Sequence, residues 1–165
     1  MAARKVAVRP GTPQPRHTAA CEFGGVGYHG AIMRYLIALL AAAGILVSYL
    51  ALRVHYSNDI QPCDINAHWD CGVVNHSPFA MIGPVPVAAI GIAGYALLGV
   101  LALGRLRALT LASAVVGLGF ALYLTYIEKF VLMVWCLYCV ISQGLILAIV
   151  LLAVSWYWSG RRSLA

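Results

Sequence analysis

The chain has 165 residues, 62% of them hydrophobic and only 10% charged, with a net charge of +6. A water-soluble domain carries about 25% charged residues, so the composition excludes an ordinary soluble globule and predicts one small domain with the bilayer as its solvent. The placement of the basic residues is explained by membrane topology, so the positive charge implies no nucleic-acid partner.

Residues 1–30 are rich in Pro, Gly, Arg and Thr and lack apolar periodicity, which predicts a disordered cytoplasmic tail. Cys21 falls in this tail and has no evident partner there. Four apolar runs follow, at residues 35–52, 81–103, 108–127 and 130–158. Each approaches or exceeds the ~20 residues that cross ~30 Å of hydrocarbon as a helix. The first run starts too far from the N-terminus to read as a cleaved signal peptide. The expected fold is an all-α membrane protein, a four-transmembrane-helix bundle over residues 31–160.

Lysine and arginine placement orients the bundle. Arg4, Lys5, Arg9, Arg16 and Arg34 precede the first run, Arg105 and Arg107 join the second and third, and Arg161 and Arg162 follow the fourth. Only Arg53 and Lys129 lie at the opposite ends. The positive-inside rule then predicts both termini inside, with the 59–81 loop and the 128–135 turn outside. The outer loop contains Cys63 and Cys71 together with Trp69, Phe79 and Met81. It is apolar enough to lie on the membrane surface as a cap. Pro84 and Pro86 are expected to turn the chain into the second helix.

Gly91, Gly94 and Gly99, then Ala112, Ala114, Gly117 and Gly119, are small residues of the kind that let membrane helices approach closely. Short links predict that the second helix neighbours the third and the third neighbours the fourth. Glu128 and Lys129 are expected to be solvated at the outer interface. Trp156 and Trp158 read as inner-interface anchors.

The chemistry centres on Cys136-Leu137-Tyr138-Cys139, which opens the last apolar run. A C-x-x-C at a helix start allows the two sulfurs to close a disulfide, and the helix N-terminus favours a thiolate. Cys63 and Cys71 lie on the same predicted side, where disulfides persist. Two pairs together suggest a relay of disulfides feeding electrons to something dissolved in the lipid. A static disulfide between Cys63 and Cys71 is the plainer reading of that pair alone, and would contribute about 2–3 kcal/mol. A zinc site fits the wide spacing of Cys63 and Cys71 poorly, even with His68 and His76 nearby. A membrane carrier of soft heavy metals is the alternative function.

The combination of four apolar runs, Cys63-Asp64 and Cys71 in the first loop, Ser77 six residues later, and Trp135-Cys136-Leu137-Tyr138-Cys139 resembles the bacterial vitamin K epoxide reductase (VKOR) family over about residues 31–158. DsbB-type oxidases share the logic but place their pairs in the reverse order. The resemblance implies a quinone-dependent oxidoreductase of the bacterial inner membrane, with its active site on the periplasmic face. It would reoxidise a periplasmic thioredoxin-like (DsbA-like) protein and pass the electrons to ubiquinone or menaquinone. By motif, Cys139 would meet the quinone and Cys136 would resolve it. Cys71 would exchange with Cys136, and Cys63 would face the partner. Many relatives carry a fused thioredoxin-like domain, and this sequence, ending at Ala165, is expected to use a separate protein. Ser77 is a further quinone contact implied by the family position. Gln143, one turn beyond Cys139, is a candidate donor to a quinone carbonyl. Phe79, Tyr123 and Tyr126 are candidates for the pocket wall. The family's usual asparagine near the start of the second helix is replaced by Pro86-Val87-Ala88. No metal is expected as a cofactor.

Overall fold

The computed structural model describes residues 23–57, 63–66 and 68–162. Helix α1 (Phe23–Tyr56) contains no proline and is built largely from Ala, Leu, Ile and Val. It begins inside the segment expected to be a disordered tail, so residues 23–30 are helical, while residues 1–22 and Cys21 lie outside the described residues. After the first loop come a short helix α2 (Cys71–Asn75) and a 3-10 turn (Pro78–Ala80). Three longer helices follow: α3 (Val87–Leu103), α4 (Arg107–Ile127) and α5 (Leu137–Arg162).

Among the described residues, three helices are long and apolar enough to cross a membrane, Gly30–Tyr56, Arg107–Leu132 and Leu137–Arg161; Val87–Leu103 is a shorter apolar helix. Large apolar side chains stand exposed on their outer faces, including Leu39, Val100, Val116 and Leu151. Water would penalise such a surface and lipid does not. The chain is a membrane helical protein.

The second apolar run does not form one helix. Met81–Ile82 (β1) pairs antiparallel with Val85–Pro86 (β2). Gly83 supplies a φ of 61° at the first central position of this two-residue hairpin. Pro86 then stands at the N-cap of α3, where its missing N–H costs nothing. These six residues are thus lost to the helix, and α3 keeps 17, about 26 Å at 1.5 Å per residue.

Helix α1 is the central strut, packed along both α3 and α5, and α4 lies along α5. Two glycines make the α1–α3 approach possible. A Cβ on Gly44 would sit 2.4 Å from the Tyr95 ring, and one on Gly91 would sit 2.9 Å from Ser48 Oγ. Gly94 and Gly119, by contrast, face open space. Helices α3 and α4 are joined by a tight turn through Arg105, at φ 61°, but touch much less than the other neighbours. A cavity opens between them. Trp156, expected as an interfacial anchor, is instead core, 2% exposed with the Arg107 guanidinium 5.3 Å above its ring; Trp158 is exposed.

Candidate redox site

The site is assembled by a parallel backbone pairing between two distant segments. Trp135 N–H donates to the His68 carbonyl at 2.8 Å, and Asp70 N–H donates to the Trp135 carbonyl at 3.1 Å. The next residues along each segment are Cys71 and Cys136, so this register carries the two cysteines into one buried cluster. The cluster contains Val54, Cys63, Cys71, Val74 and Cys136. Cys71 and Cys136 are completely buried, and Cys63 is 2% exposed.

Cys63 and Cys71 are disulfide-bonded, and Cys136 and Cys139 are free thiols. The ligand atoms of Cys63, Asp64 and Cys71 lie within 4.8 Å of one another, but sulfurs joined to each other offer no thiolate to a metal. Helix α2 fixes the loop pair. Asp70 is its N-cap and accepts from Val73 N–H at 2.8 Å, and Asp64 Oδ1 accepts from Gly72 N–H at 3.2 Å. Asn75 links the pairs: its Nδ2 donates to the Cys71 carbonyl at 2.8 Å and to Cys136 Sγ at 3.6 Å.

Cys136 stands at the N-cap of α5, since Val140 N–H donates to its carbonyl. Its sulfur occupies the place a serine oxygen usually takes, facing the N–H groups of Cys139 and Tyr138. The Cys139 thiol hydrogen-bonds to it as well. That contact, helped by the two N–H groups, holds the Cys136 thiol below the ordinary cysteine range despite burial and nearby Glu128. Cys136 is therefore the member of the pair more readily present as thiolate.

Cys139 opens on a cavity of about 520 Å³ bounded by α1, α3, α4 and α5. Its walls are mainly apolar, with Phe79, Leu98, Phe120 and Leu124 among them, and its few polar groups include His55, Tyr95, Glu128 and Ser142. Tyr95 O–H donates to the Ser142 carbonyl at 2.9 Å. His55 Nδ1 lies 2.6 Å from the Asn75 carbonyl. A carbonyl only accepts, so Nδ1 is the donor.

The residues singled out from sequence are placed as follows. Cys63, Cys71, Cys136 and Cys139 converge. Ser77 and Phe79 border the cavity, and the Ser77 hydroxyl donates to the Val74 carbonyl at 2.8 Å. Tyr123 and Tyr126 are 57% and 58% exposed and lie outside the cavity lining. Gln143 is also outside it, with its Oε1 buried and unpartnered.

Glu128 corrects an expectation. It is 3% exposed rather than solvated. The chain from Glu128 to Leu132 continues α4 as a π-helical turn instead of leaving as a free link, and this keeps the carboxylate pointed into the bundle. Oε2 accepts from Cys136 N–H at 3.3 Å, and the Cys139 thiol lies beside the carboxylate. The signal was in the spacing: Gly117, Ala121, Leu124 and Glu128 recur at helical intervals and all line the cavity. Asn75 and Tyr95 were also missed, and neither sits in a local motif that would mark it.

The sequence matches the vitamin K epoxide reductase family over residues 35–154, and the chain belongs to that family. No curated protein sequence matches it. The family assignment makes the protein a thiol–disulfide oxidoreductase of the membrane.

Proposed function

We propose, with that membership as premise, that the chain is a quinone-dependent enzyme that reoxidises a periplasmic thioredoxin-like protein and so drives disulfide formation. The observation that carries this reading is the seating of a loop disulfide, Cys63–Cys71, against a free dithiol whose second member, Cys139, opens on an apolar cavity. The charge distribution supports four membrane-crossing helices with both termini cytoplasmic, and an active face on the periplasmic side of a bacterial inner membrane. The short α3 would span with the hairpin as its outer extension.

The cavity fits a lipid-soluble ring. It is large enough and mainly apolar, with Cys139 and a few polar groups in its wall. The quinone, when bound there, supplies a two-electron acceptor. Cys139 would contact it, with Phe79, Leu98 and Ser77 in the surrounding wall, while Tyr123, Tyr126 and Gln143 lie outside that wall.

The thiol steps follow from the packing. A partner thiolate attacks Cys63 and frees Cys71. Cys71 attacks Cys136 of an oxidised Cys136–Cys139 pair and releases Cys139. The partner's second thiol then resolves its bond to Cys63, leaving as a disulfide. Cys63 attacks Cys71 and releases Cys136. The product of these exchanges is an oxidised loop pair with a reduced helix pair, the arrangement of bonds in the structure. Cys136, held below the ordinary thiol range, is a good leaving group in the last exchange.

The test is anaerobic quinone reduction by purified protein with a small dithiol, wild type beside Cys139→Ser. The expected result is turnover in wild type and none in the variant, with ubiquinone or menaquinone. Normal turnover in Cys139→Ser would overturn the order of roles. Tight binding of a soft metal by reduced protein, without quinone reduction, would favour the carrier reading instead.

A further inference from the structure

The buried Glu128 carboxylate is left without a role by the exchange scheme above. It is 3% exposed, it lines the cavity, and one of its oxygens, Oε1, has no hydrogen-bond partner. A buried carboxylate with an idle oxygen is costly, and an apolar side chain would fill the same space without that cost. What adjoins it is the Cys139 thiol, the sulfur that opens on the cavity. Lys129, its sequence neighbour, is exposed and sits over the Phe130 ring rather than against the carboxylate. Among the described residues, no cation is within salt-bridge reach of Glu128, so the carboxylate's charge is not spent on an ion pair.

We infer that Glu128 is the general base for Cys139 and the proton donor to the reduced quinone. The inference rests on the quinone reading of the cavity. In the step, Glu128 takes the proton from Cys139 as its sulfur adds to the quinone ring. The Cys136 thiolate then attacks the Cys139 sulfur, forming the Cys136–Cys139 bond and breaking the sulfur–ring bond, whose electron pair stays with the ring, and Glu128 returns its proton to a ring oxygen of the product. The proton that Cys136 loses on ionising leaves to the outer aqueous phase, and one proton from that phase completes the hydroquinone. Two thiols thus lose two electrons and two protons, the quinone gains both, and Glu128 ends as it began. The remaining titratable groups on the cavity are His55 from α1, Tyr95 from α3 and Tyr138 from α5. None of these side chains is hydrogen-bonded to either cysteine in the structure, whereas Glu128 accepts from Cys136 N–H at 3.3 Å and lines the same cavity as Cys139.

Glu128→Gln separates this role from a structural one, because the amide oxygen still accepts from Cys136 N–H. The experiment is single-turnover oxidation of the reduced, detergent-solubilised full chain by a soluble short-chain quinone, followed across pH. Glu128→Gln is expected to slow oxidation about 100-fold or more and to make the rate climb with hydroxide. Quinone affinity and formation of the Cys71–Cys136 mixed disulfide should stay unchanged. Glu128→Asp should restore part of the rate and the wild-type shape of the pH profile. A Glu128→Gln protein with the wild-type rate, or with a lowered rate on an unaltered pH profile that Glu128→Asp fails to rescue, would overturn the inference alone. Wild-type protein inert toward quinone would overturn the quinone reading with it.

Discussion

Toward the end of the bundle where α1 begins and α5 ends, Ile37, Ala41, Leu98, Ala102, Ile149 and Ala153 pack with Tyr95 and Trp156 into one apolar cluster. At the opposite end the second apolar cluster consists of Val54, Val74 and three cysteines. The first cluster is held by shape: small residues admit large ones, and contacts are non-directional. The second is held by direction, through a disulfide, backbone pairing at Trp135, and Asn75 bridging Cys71 and Cys136. In the proposed relay these sulfurs exchange partners, and the backbone pairing at Trp135 and the Asn75 bridge would keep their register while the disulfide changes hands.

The largest effect should come from cutting the second region's chemistry while leaving its volume intact. Cys71→Ser is expected to lower quinone reduction driven by a thioredoxin-like donor by at least about a thousandfold, on the scale of lost nucleophiles elsewhere. A small dithiol able to reach Cys136–Cys139 should still drive turnover. Parallel assays with the two donors check this. Equal loss with both would mean that the loop pair holds the site together rather than passing electrons.

The first region should respond to volume. Gly44→Ala places a Cβ 2.4 Å from the Tyr95 ring, and Tyr95 is tethered by its hydrogen bond to Ser142. The expected cost is about 1–3 kcal/mol, read as a lower midpoint of unfolding in mixed detergent. Gly94→Ala meets no atom within 4 Å and should stay within about 0.5 kcal/mol of wild type. If the two glycines behave alike, close packing of α1 on α3 does not set stability.

This contrast also explains what could be read from sequence. Helices and cysteine pairs are local signals, carried by run length and by C-x-x-C spacing, and they were legible. The oxidised loop pair and its neighbours required the pairing of residues 68–70 with residue 135, which no spacing reveals. Asn75 is one polar residue in a short loop helix until that register brings it to Cys136. Met81 to Pro86 extends the second apolar run, but Gly83 and two prolines divert it into a hairpin. Glu128 was read as solvated because charge next to a link usually is. The π-helical turn, which a sequence pattern does not announce, carried it inward.

The smallest effect should come from the cap that positions α2. Asp70→Ala removes the acceptor for Val73 N–H and should cost about 1 kcal/mol. Cys71 would stay in place, because the Cys63 bond, the Trp135 pairing and the Asp64 contact to Gly72 are untouched. Quinone reduction with a small dithiol should therefore be unchanged, and turnover with a thioredoxin-like donor should fall by no more than a few-fold. If Asp70→Ala lost partner-driven turnover as fully as Cys71→Ser, the orientation of α2, more than the sulfur on it, would be the element that couples the two pairs. The directional region would then resemble the packed one in failing as a whole when a single contact is removed.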